Sequence, residues 1–265
     1  MELDIASVRK AYALLELKRR IVGVKLVYDK DEFDKIPAVL PLKPMYYCQA
    51  VAAAGFGNPV KLTREVSGCG GSSRALGFVP PADAYYTGES GCALGLYENQ
   101  DVAKKVAMKA SVLHRPLYGI AVMPLENFET APDAVLIVCN TREAMRLAQG
   151  YTCTYGLCDN FCISGNQAVC VECTAYPLTK DCMNISMFCA GTRFNAHWKD
   201  SEILAGLPYT KFGGLVKGLE NTVNAIERNP RKAKIERQLK NAGLPPMEIR
   251  YGSTYFLKND MSKAE

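Results

Sequence analysis

VGVKLVYDKDEFDKIP, residues 22–37, and YGIAVMPLENFETAP, residues 118–132, carry the same features in the same order. Each begins with a glycine inside a short apolar run and continues through an acidic turn to a phenylalanine and a proline. The matched pairs are Gly23 with Gly119, Phe33 with Phe128, and Pro37 with Pro132. Short apolar runs followed by turn residues predict strands, so the chain is expected to hold two copies of one strand–turn unit.

A second match lies downstream of each copy. VSGCGGSSR, residues 66–74, resembles ISMFCAGTR, residues 185–193, with Cys69 and Cys189 at the same position. Upstream, Cys48 lies 21 residues before Cys69, and Cys170 lies 19 residues before Cys189. We therefore predict internal repeats at roughly 20–80 and 116–200, packed about a pseudo-two-fold axis that brings the four cysteines to one place. Chance similarity between two strand–turn units is the alternative.

The rest of the chain mixes strands and helices without strict alternation. Its patterns predict a single domain, residues 1–265, of the α+β class, or α/β with insertions. The C-terminal part, residues 213–257, is predicted to form helices and a final strand. The other predicted elements are a helix Ile5–Arg20, a strand Ala84–Thr87, a helix capped by Asp101 and running to Leu113, a helix capped by Thr141 and ended by Gly150, a basic helix from Asn229 to Gly243, and a strand Met247–Leu257.

Composition narrows the class of protein. The net charge is +5 and no run of five or six like charges occurs, so nucleic acid is not an expected partner. The N-terminal stretch lacks the basic, apolar and small-residue regions of a signal peptide, and no segment has the roughly 18 to 20 apolar residues of a membrane span. We therefore expect a cytoplasmic protein. In a reducing cytosol, eleven cysteines indicate metal ligands or catalytic groups rather than disulfides.

Thiolates suit zinc, Cu(I) and iron–sulfur clusters. Paired C-x2-C knuckles are typical of structural zinc, and here only Cys170 and Cys173 have that spacing. Long spacings with neighbouring glycines better fit a cluster seated between chain segments, where backbone N–H groups bond the sulfides. The prediction is a 4Fe–4S cluster held by the following four cysteines: Cys48, Cys69, Cys170 and Cys189.

Residues beside these cysteines are candidates for holding the cluster. Gly70 and Gly191 lie in turns whose N–H groups would face the sulfides. Arg74 and Arg193 would offset the negative charge of a thiolate-bound cluster, or are simply arginines at a surface or a helix start.

Seven cysteines remain. A weaker prediction places a second centre on five of them: Cys153, Cys158, Cys162, Cys173 and Cys182. The alternative is that some are small buried hydrophobes. Cys139 is expected in the core and Cys92 in a structural position. His197 either reaches the site as an axial ligand or packs beside Trp198.

These residues resemble the DUF169 family, uncharacterised cysteine-containing proteins of anaerobic bacteria and archaea. The resemblance runs from VGVKL through SGCGG and NISMFCAGTR to LVKGLE, roughly residues 15–225. It implies cysteines at the four positions chosen above, whereas the five extra cysteines are not part of the family pattern. The resemblance implies an anaerobic source and carries no reaction.

The leading hypothesis is an iron–sulfur protein acting in electron transfer or low-potential reduction, as an oxidoreductase if it is an enzyme. Its partner would be a redox protein, docking on the basic helix, or a small-molecule substrate; a homodimer is an open alternative, and the basic helix could equally be a solvated face. Two rivals come from other classes. One is a structural or sensory zinc-thiolate protein without turnover, and the other is a thiol-based enzyme or a protein that handles a tetrapyrrole or corrinoid.

Overall fold

A six-stranded antiparallel sheet lies at the centre of the computed structural model, which describes residues 2–159, 161–252 and 254–255. Its strands are β1 (Val22–Val27), β2 (Val60–Thr63), β3 (Gly119–Pro124), β4 (Ala134–Cys139), β5 (Asn184–Ser186) and β6 (Ile203–Pro208). They are ordered β2-β3-β1-β4-β6-β5. The strands of the two matched units, β1 and β3, are antiparallel neighbours along their full length.

Helices cover both faces of this sheet. They are α1 (Ile5–Leu14), α2 (Lys30–Lys35), α3 (Tyr47–Gly55), α4 (Gly70–Ala75), α5 (Asp83–Tyr86), α6 (Glu89–Ala93), α7 (Gln100–Lys109), α8 (Thr141–Tyr155), α9 (Tyr176–Lys180), α10 (Ala190–Asn195), α11 (Tyr209–Asn221), α12 (Val223–Ile226) and α13 (Asn229–Asn241). A 3-10 turn, Leu125–Asn127, and a π-helix, Ala168–Ala175, complete the set. The mixed composition and the antiparallel sheet confirm the α+β class.

Each face of the sheet has its own apolar core. Helices α1, α8, α11 and α13 pack on one face, whereas α3 and the π-helix pack on the other. Strand β4 lies between the two cores, with Leu136 facing one and Ile137 facing the other. Burial on both faces explains why β4 reads as the uninterrupted apolar run AVLIVC rather than as an alternating pattern.

Each matched strand–turn unit packs its phenylalanine ring against the strand glycine of the other unit. A Cβ on Gly23 would lie 2.5 Å from the ring of Phe128, and a Cβ on Gly119 would lie 2.3 Å from the ring of Phe33. Both phenylalanines are buried. Each strand therefore needs glycine because the aromatic ring of the other unit occupies the space that a side chain would take.

Several helices and strands differ from their predicted bounds or type. Helix α1 ends at Leu14 rather than Arg20, and residues 83–86 form the short helix α5, so the predicted strand there is wrong. Helix α7 is capped by Asn99, whose side chain accepts from the N–H of Val102, and it stops at Lys109. Asp101 lies within the first turn, where its charge favours the positive end of the helix dipole.

Helix α8 runs through the glycine that was predicted to end it. Asn140 and Glu143 form a capping box at its start, and the helix continues to Tyr155. Gly150 lies against α11: a Cβ there would be 2.7 Å from the side chain of Leu219. The glycine thus serves close helix packing instead of helix termination.

The C-terminal helices form as predicted, and the final strand does not. Helix α13 begins at Asn229, with Pro230 in its first turn, and Gly243 follows its end with a φ of 65°. Residues 244–250 have no regular structure, so within the described part of Met247–Leu257 the predicted strand is wrong; Ser253, Phe256 and Leu257 lie outside the described residues. No helix in the described ranges is long and apolar enough to cross a membrane.

Candidate metal centre

Four separate elements carry the four predicted ligands. Cys48 lies in the first turn of α3, and Cys170 lies in the π-helix. Cys69 is the N-cap residue of α4, and Cys189 is the N-cap residue of α10. All four thiols are partly buried and free of disulfide bonds.

The elements that carry the four thiols pack against one another, because α3 contacts both the π-helix and α10, and α4 contacts the π-helix. The pKa of Cys48 is raised to about 11, chiefly by burial, with smaller contributions from the neighbouring thiols of Cys189 and Cys69. Burial also raises the pKa of Cys170, with added contributions from Cys69, Cys189 and Cys48. Cys170 is therefore affected by all three of the other thiols, and Cys48 by those of Cys189 and Cys69.

A threonine hydroxyl lies between two of the thiols. The Sγ atom of Cys189 is 3.2 Å from Oγ1 of Thr192, and the same hydroxyl makes a hydrogen bond that lowers the pKa of Cys48 against the effect of burial. Thr192 is fully buried in the first turn of α10. Thr192 thus fixes the positions of two sulfurs that come from opposite halves of the chain.

The residue before Cys189 adopts a conformation that is rare for an aromatic residue. Phe188 has a φ of 71°, in the left-handed region that bulky side chains avoid. Its N–H donates to Oγ of Ser186 at 3.2 Å, and its ring packs 4.8 Å from the ring of Trp198. Packing and this hydrogen bond hold the turn, which presents Cys189 to the other thiols.

Glu172, which the sequence analysis did not select, organises the segment around the cysteines. The residue is fully buried in the π-helix. Its Oε1 accepts from the N–H groups of Ser164 and Gly165 at 2.7 and 2.9 Å, and its Oε2 accepts from the hydroxyl of Ser186. A single charge inside the apolar run VCVEC was the available signal, because buried carboxylates are retained only where hydrogen bonds satisfy them.

The predicted glycines and arginines have different surroundings. A Cβ on Gly191 would lie 3.9 Å from Sγ of Cys189, and the Cβ position of Gly71 lies 3.7 Å from Sγ of Cys69. In both turns, a glycine two residues after the cysteine therefore lies beside its sulfur.

The two arginines also differ. Arg193 donates to the backbone carbonyls of Met187, Lys199 and Glu202, so it ties the chain around α10 together. Arg74 instead stacks on the ring of Tyr85, 3.7 Å from its centroid. Neither guanidinium makes an ion pair among the described residues.

Of the five cysteines predicted to form a second centre, three lie near one another and two lie elsewhere. Burial raises the pKa of Cys182, as does Cys158; burial raises the pKa of Cys162, as do Glu172 and then Cys182. All three thiols also raise the pKa of Tyr176, after the larger effect of burial. Cys158, Cys162 and Cys182 thus form a second group, which we call the three-thiol group.

Hydrogen bonds hold this three-thiol group in place. The Cys158 thiol donates to the carbonyl of Met183 at 3.1 Å. The side chain of Asn184 brackets Cys162, accepting from its N–H at 3.1 Å and donating to its carbonyl at 2.8 Å. The loop that carries two of the three cysteines is therefore pinned to the start of β5.

The other cysteines lie elsewhere. Cys173 is completely buried in the core beneath the sheet, and Cys139 is buried in the opposite core, as predicted. Cys153 is exposed on α8, and Cys92 is partly buried in α6. His197 is exposed rather than packed beside Trp198; it lines an open groove with Gln49.

The donor chemistry of the first group fits a thiophilic metal centre. Burial raises the pKa of Cys48 and Cys170 and so favours their neutral thiols, whereas a bound cation would favour thiolates. Among residues 2–159, 161–252 and 254–255, no three His, Cys, Asp or Glu side chains are yet spaced as a metal-binding group. The four sulfurs would therefore have to close up around a metal.

The fold and the thiols together define a cysteine-rich α+β protein with two groups of converging thiols. The model of the DUF169 family, described as uncharacterised ArCR, matches residues 12–218. The chain therefore belongs to the DUF169 family, and the match includes both thiol groups.

One relative is an archaeal protein. The chain is similar to the uncharacterized protein MJ0308 of Methanocaldococcus jannaschii, with 24% identity over 217 residues that cover 81% of this chain and 93% of the relative. No solved structure matches the chain.

Proposed function

We propose that this protein carries an iron–sulfur cluster on Cys48, Cys69, Cys170 and Cys189 and uses it for electron transfer or low-potential reduction. The observation that carries the proposal is that four mutually packed elements, α3, α4, the π-helix and α10, each contribute one of these cysteines, with the Thr192 hydroxyl bonded to two of the thiols. Four cysteine thiolates are the usual ligand set of a 4Fe–4S cluster.

The surroundings of the first group support a cluster over a lone ion. Two of the thiols start helices, and the glycines beside them leave the space next to each sulfur clear of side chains. Backbone N–H groups at such turns can bond cluster sulfides, and hydrogen bonds of this kind tune a cluster's reduction potential. The partial burial of the thiols leaves a route for electrons to a redox partner protein or a small substrate.

The rival functions rest on the same thiols. A structural or sensory zinc site needs only four thiolates in tetrahedral arrangement, without turnover. A tetrapyrrole or corrinoid would need a larger space and an axial ligand, and the exposed position of His197 gives that reading less support.

The three-thiol group is our candidate for the second centre. Cys158 and Cys162 each couple to Cys182, whereas Cys153 and Cys173 lie apart from them. Three thiolates with one further ligand suit a zinc ion or another thiophilic cation. We therefore restrict the second centre to these three residues.

We also infer an ancient internal duplication. In its favour, the Gly23–Phe128 contact repeats as Gly119–Phe33, and Cys69 and Cys189 are both N-cap residues of six-residue helices. Against a simple two-fold arrangement, β2 alone lies beyond β3, whereas β4, β6 and β5 all lie beyond β1. An inserted pair of strands in the second half would reconcile the two observations.

Anaerobic purification tests the main proposal. The protein should be brown, with stoichiometric iron and acid-labile sulfide, and single replacement of Cys48, Cys69, Cys170 or Cys189 by Ser should remove both. A colourless protein that holds only zinc would overturn the cluster, and a sharp Soret band would favour a tetrapyrrole. C153S is the matched control, because that thiol is exposed and lies outside both groups.

A further inference from the structure

We propose that the cavity between Arg74 and Tyr85 binds a small aliphatic carboxylate. The cavity lies between α4, the helical segment α5–α7 and residues 166–167, and it measures about 190 Å³. No function considered above uses it. Its polar groups and its apolar walls together define the ligand.

Arg74 provides an unmatched positive charge. Its guanidinium stacks 3.7 Å from the centroid of the Tyr85 ring, and its Nη2 donates to Oε1 of Gln167 at 3.2 Å. Its Nε is buried and has no hydrogen-bond partner among the described residues. No Asp or Glu lines the cavity. A buried guanidinium donor is costly to leave unpaired, so the site is incomplete without an acceptor.

Tyr85 provides a second unused donor. The residue is more than nine-tenths buried, and its hydroxyl has no hydrogen-bond partner in the part of the chain that the structure describes. Buried tyrosine hydroxyls normally find a partner. Both open groups are donors or can act as donors, so the missing ligand is an acceptor. The edge of a guanidinium matches the two oxygens of a carboxylate.

Apolar walls select among anions. Leu94, Leu96, Val106 and Ala107 line the same cavity. Phosphate or sulfate would lose hydration against these side chains without compensation, whereas a short hydrocarbon tail would bury apolar surface there. The cavity therefore fits a carboxylate with a few carbons in preference to an inorganic oxyanion.

The position of the cavity relates it to the first thiol group. Gly71 lines the cavity, and its Cβ position is 3.7 Å from Sγ of Cys69. A carboxylate held by Arg74 would thus lie beside the proposed cluster, as the substrate of a reduction would. This placement of a substrate rests on the proposed function, whereas binding of the carboxylate itself does not.

Calorimetric titration of the anaerobically purified full chain with butyrate tests the proposal. The neutral isostere butyramide and inorganic phosphate serve as the comparison ligands. We expect butyrate to bind, both comparison ligands to bind at least about tenfold more weakly, R74Q to weaken butyrate at least about tenfold, and Y85F to weaken it severalfold, because charged hydrogen bonds contribute more than neutral ones.

The chain supplies matched controls. Arg115 stacks on Tyr28 at 3.7 Å, the same geometry as Arg74 on Tyr85, and neither residue lines the cavity. R115Q and Y28F should leave butyrate affinity unchanged. Circular dichroism of each variant excludes loss of folding as the cause of lost binding.

Three outcomes would overturn the proposal: butyramide binding as tightly as butyrate, phosphate binding more tightly than butyrate, or R74Q binding butyrate like the wild type. If R74Q loses iron while Y85F keeps full butyrate affinity, Arg74 serves the cluster and the carboxylate site is wrong. If the wild type lacks iron but binds butyrate with the expected pattern, the carboxylate site stands and the proposed cluster fails.

Discussion

The two thiol groups are built in opposite ways. The four cysteines of the first group come from α3, α4, the π-helix and α10, whereas the three-thiol group comes from one segment, residues 158–182. The first group therefore depends on the completed tertiary fold, and the second depends on a loop and the hydrogen bonds that pin it. Four dispersed ligands suit a buried cofactor, and three local ligands suit an ion that can be exchanged.

Replacement of Cys170 tests the first half of this comparison most strongly. Cys170 couples to the other three thiols of its group, so C170S should abolish iron and sulfide binding almost completely. Iron and sulfide assays on anaerobic protein measure the effect. Retention of wild-type iron in C170S would remove Cys170 from the first group.

Replacement of Cys182 tests whether the two groups are independent. Cys182 couples to Cys158 in the three-thiol group, so C182S should lose a zinc or cobalt ion from that group and keep the iron of the first. Cobalt loading followed by absorption spectroscopy reports thiolate ligation directly. Loss of iron in C182S would show that the groups form one centre.

The metal-free protein should lose stability at alkaline pH. The folded chain holds the Cys48 proton up to a pKa of about 11, whereas the unfolded chain releases it near the ordinary value of 9.0. Folding stability therefore falls between pH 9 and 11, with a contribution from Cys48 of about 3 kcal/mol. Urea denaturation of wild type and C48S at several pH values measures the difference. If the free energy of unfolding changes with pH identically in the two proteins, the prediction is wrong.

Glu172 joins the two groups, so E172Q should affect both. The carboxylate holds the loop after Cys162 through Ser164 and Gly165, and it holds the turn before Cys189 through Ser186. An amide in its place turns one acceptor into a donor facing donors, which should cost about 1 to 3 kcal/mol. Denaturant titration measures that cost, together with faster amide exchange at residues 161–167.

A buried carboxylate outside both thiol groups provides the control for E172Q. Glu143, in the capping box of α8, is also buried. E143Q should lower stability without lowering the metal content of either group, whereas E172Q should lower both. Equal metal content in the two variants would show that Glu172 only stabilises the fold.

Much of this arrangement follows from local patterns in the sequence. The matched strand–turn units predict β1 and β3, and the similar spacing of the cysteines selects four thiols whose elements pack against one another. A short strand, and a turn that contains cysteine and glycine, are local features that neighbouring residues in the sequence determine.

Other features depend on tertiary contacts and could not be predicted in this way. Strand β6 contains Gly206 and Pro208, which both disfavour strands, yet Gly206 is required because a side chain there would meet the carbonyl of Cys173. The π-helix depends on a hydrogen bond from the N–H of Glu172 to the carbonyl of Gln167, five residues back, which no periodicity reveals.

The reciprocal contact of Gly23 with Phe128 and of Gly119 with Phe33 has a consequence for the separated halves. In each half of the chain, the space beside the strand glycine is filled by a phenylalanine ring from the other half. A gene divided between α7 and β3 would produce two fragments. Each would have an unfilled space beside its strand glycine and a phenylalanine ring exposed to water. Co-expression should let the fragments reassemble, because each one completes the surface that the other lacks.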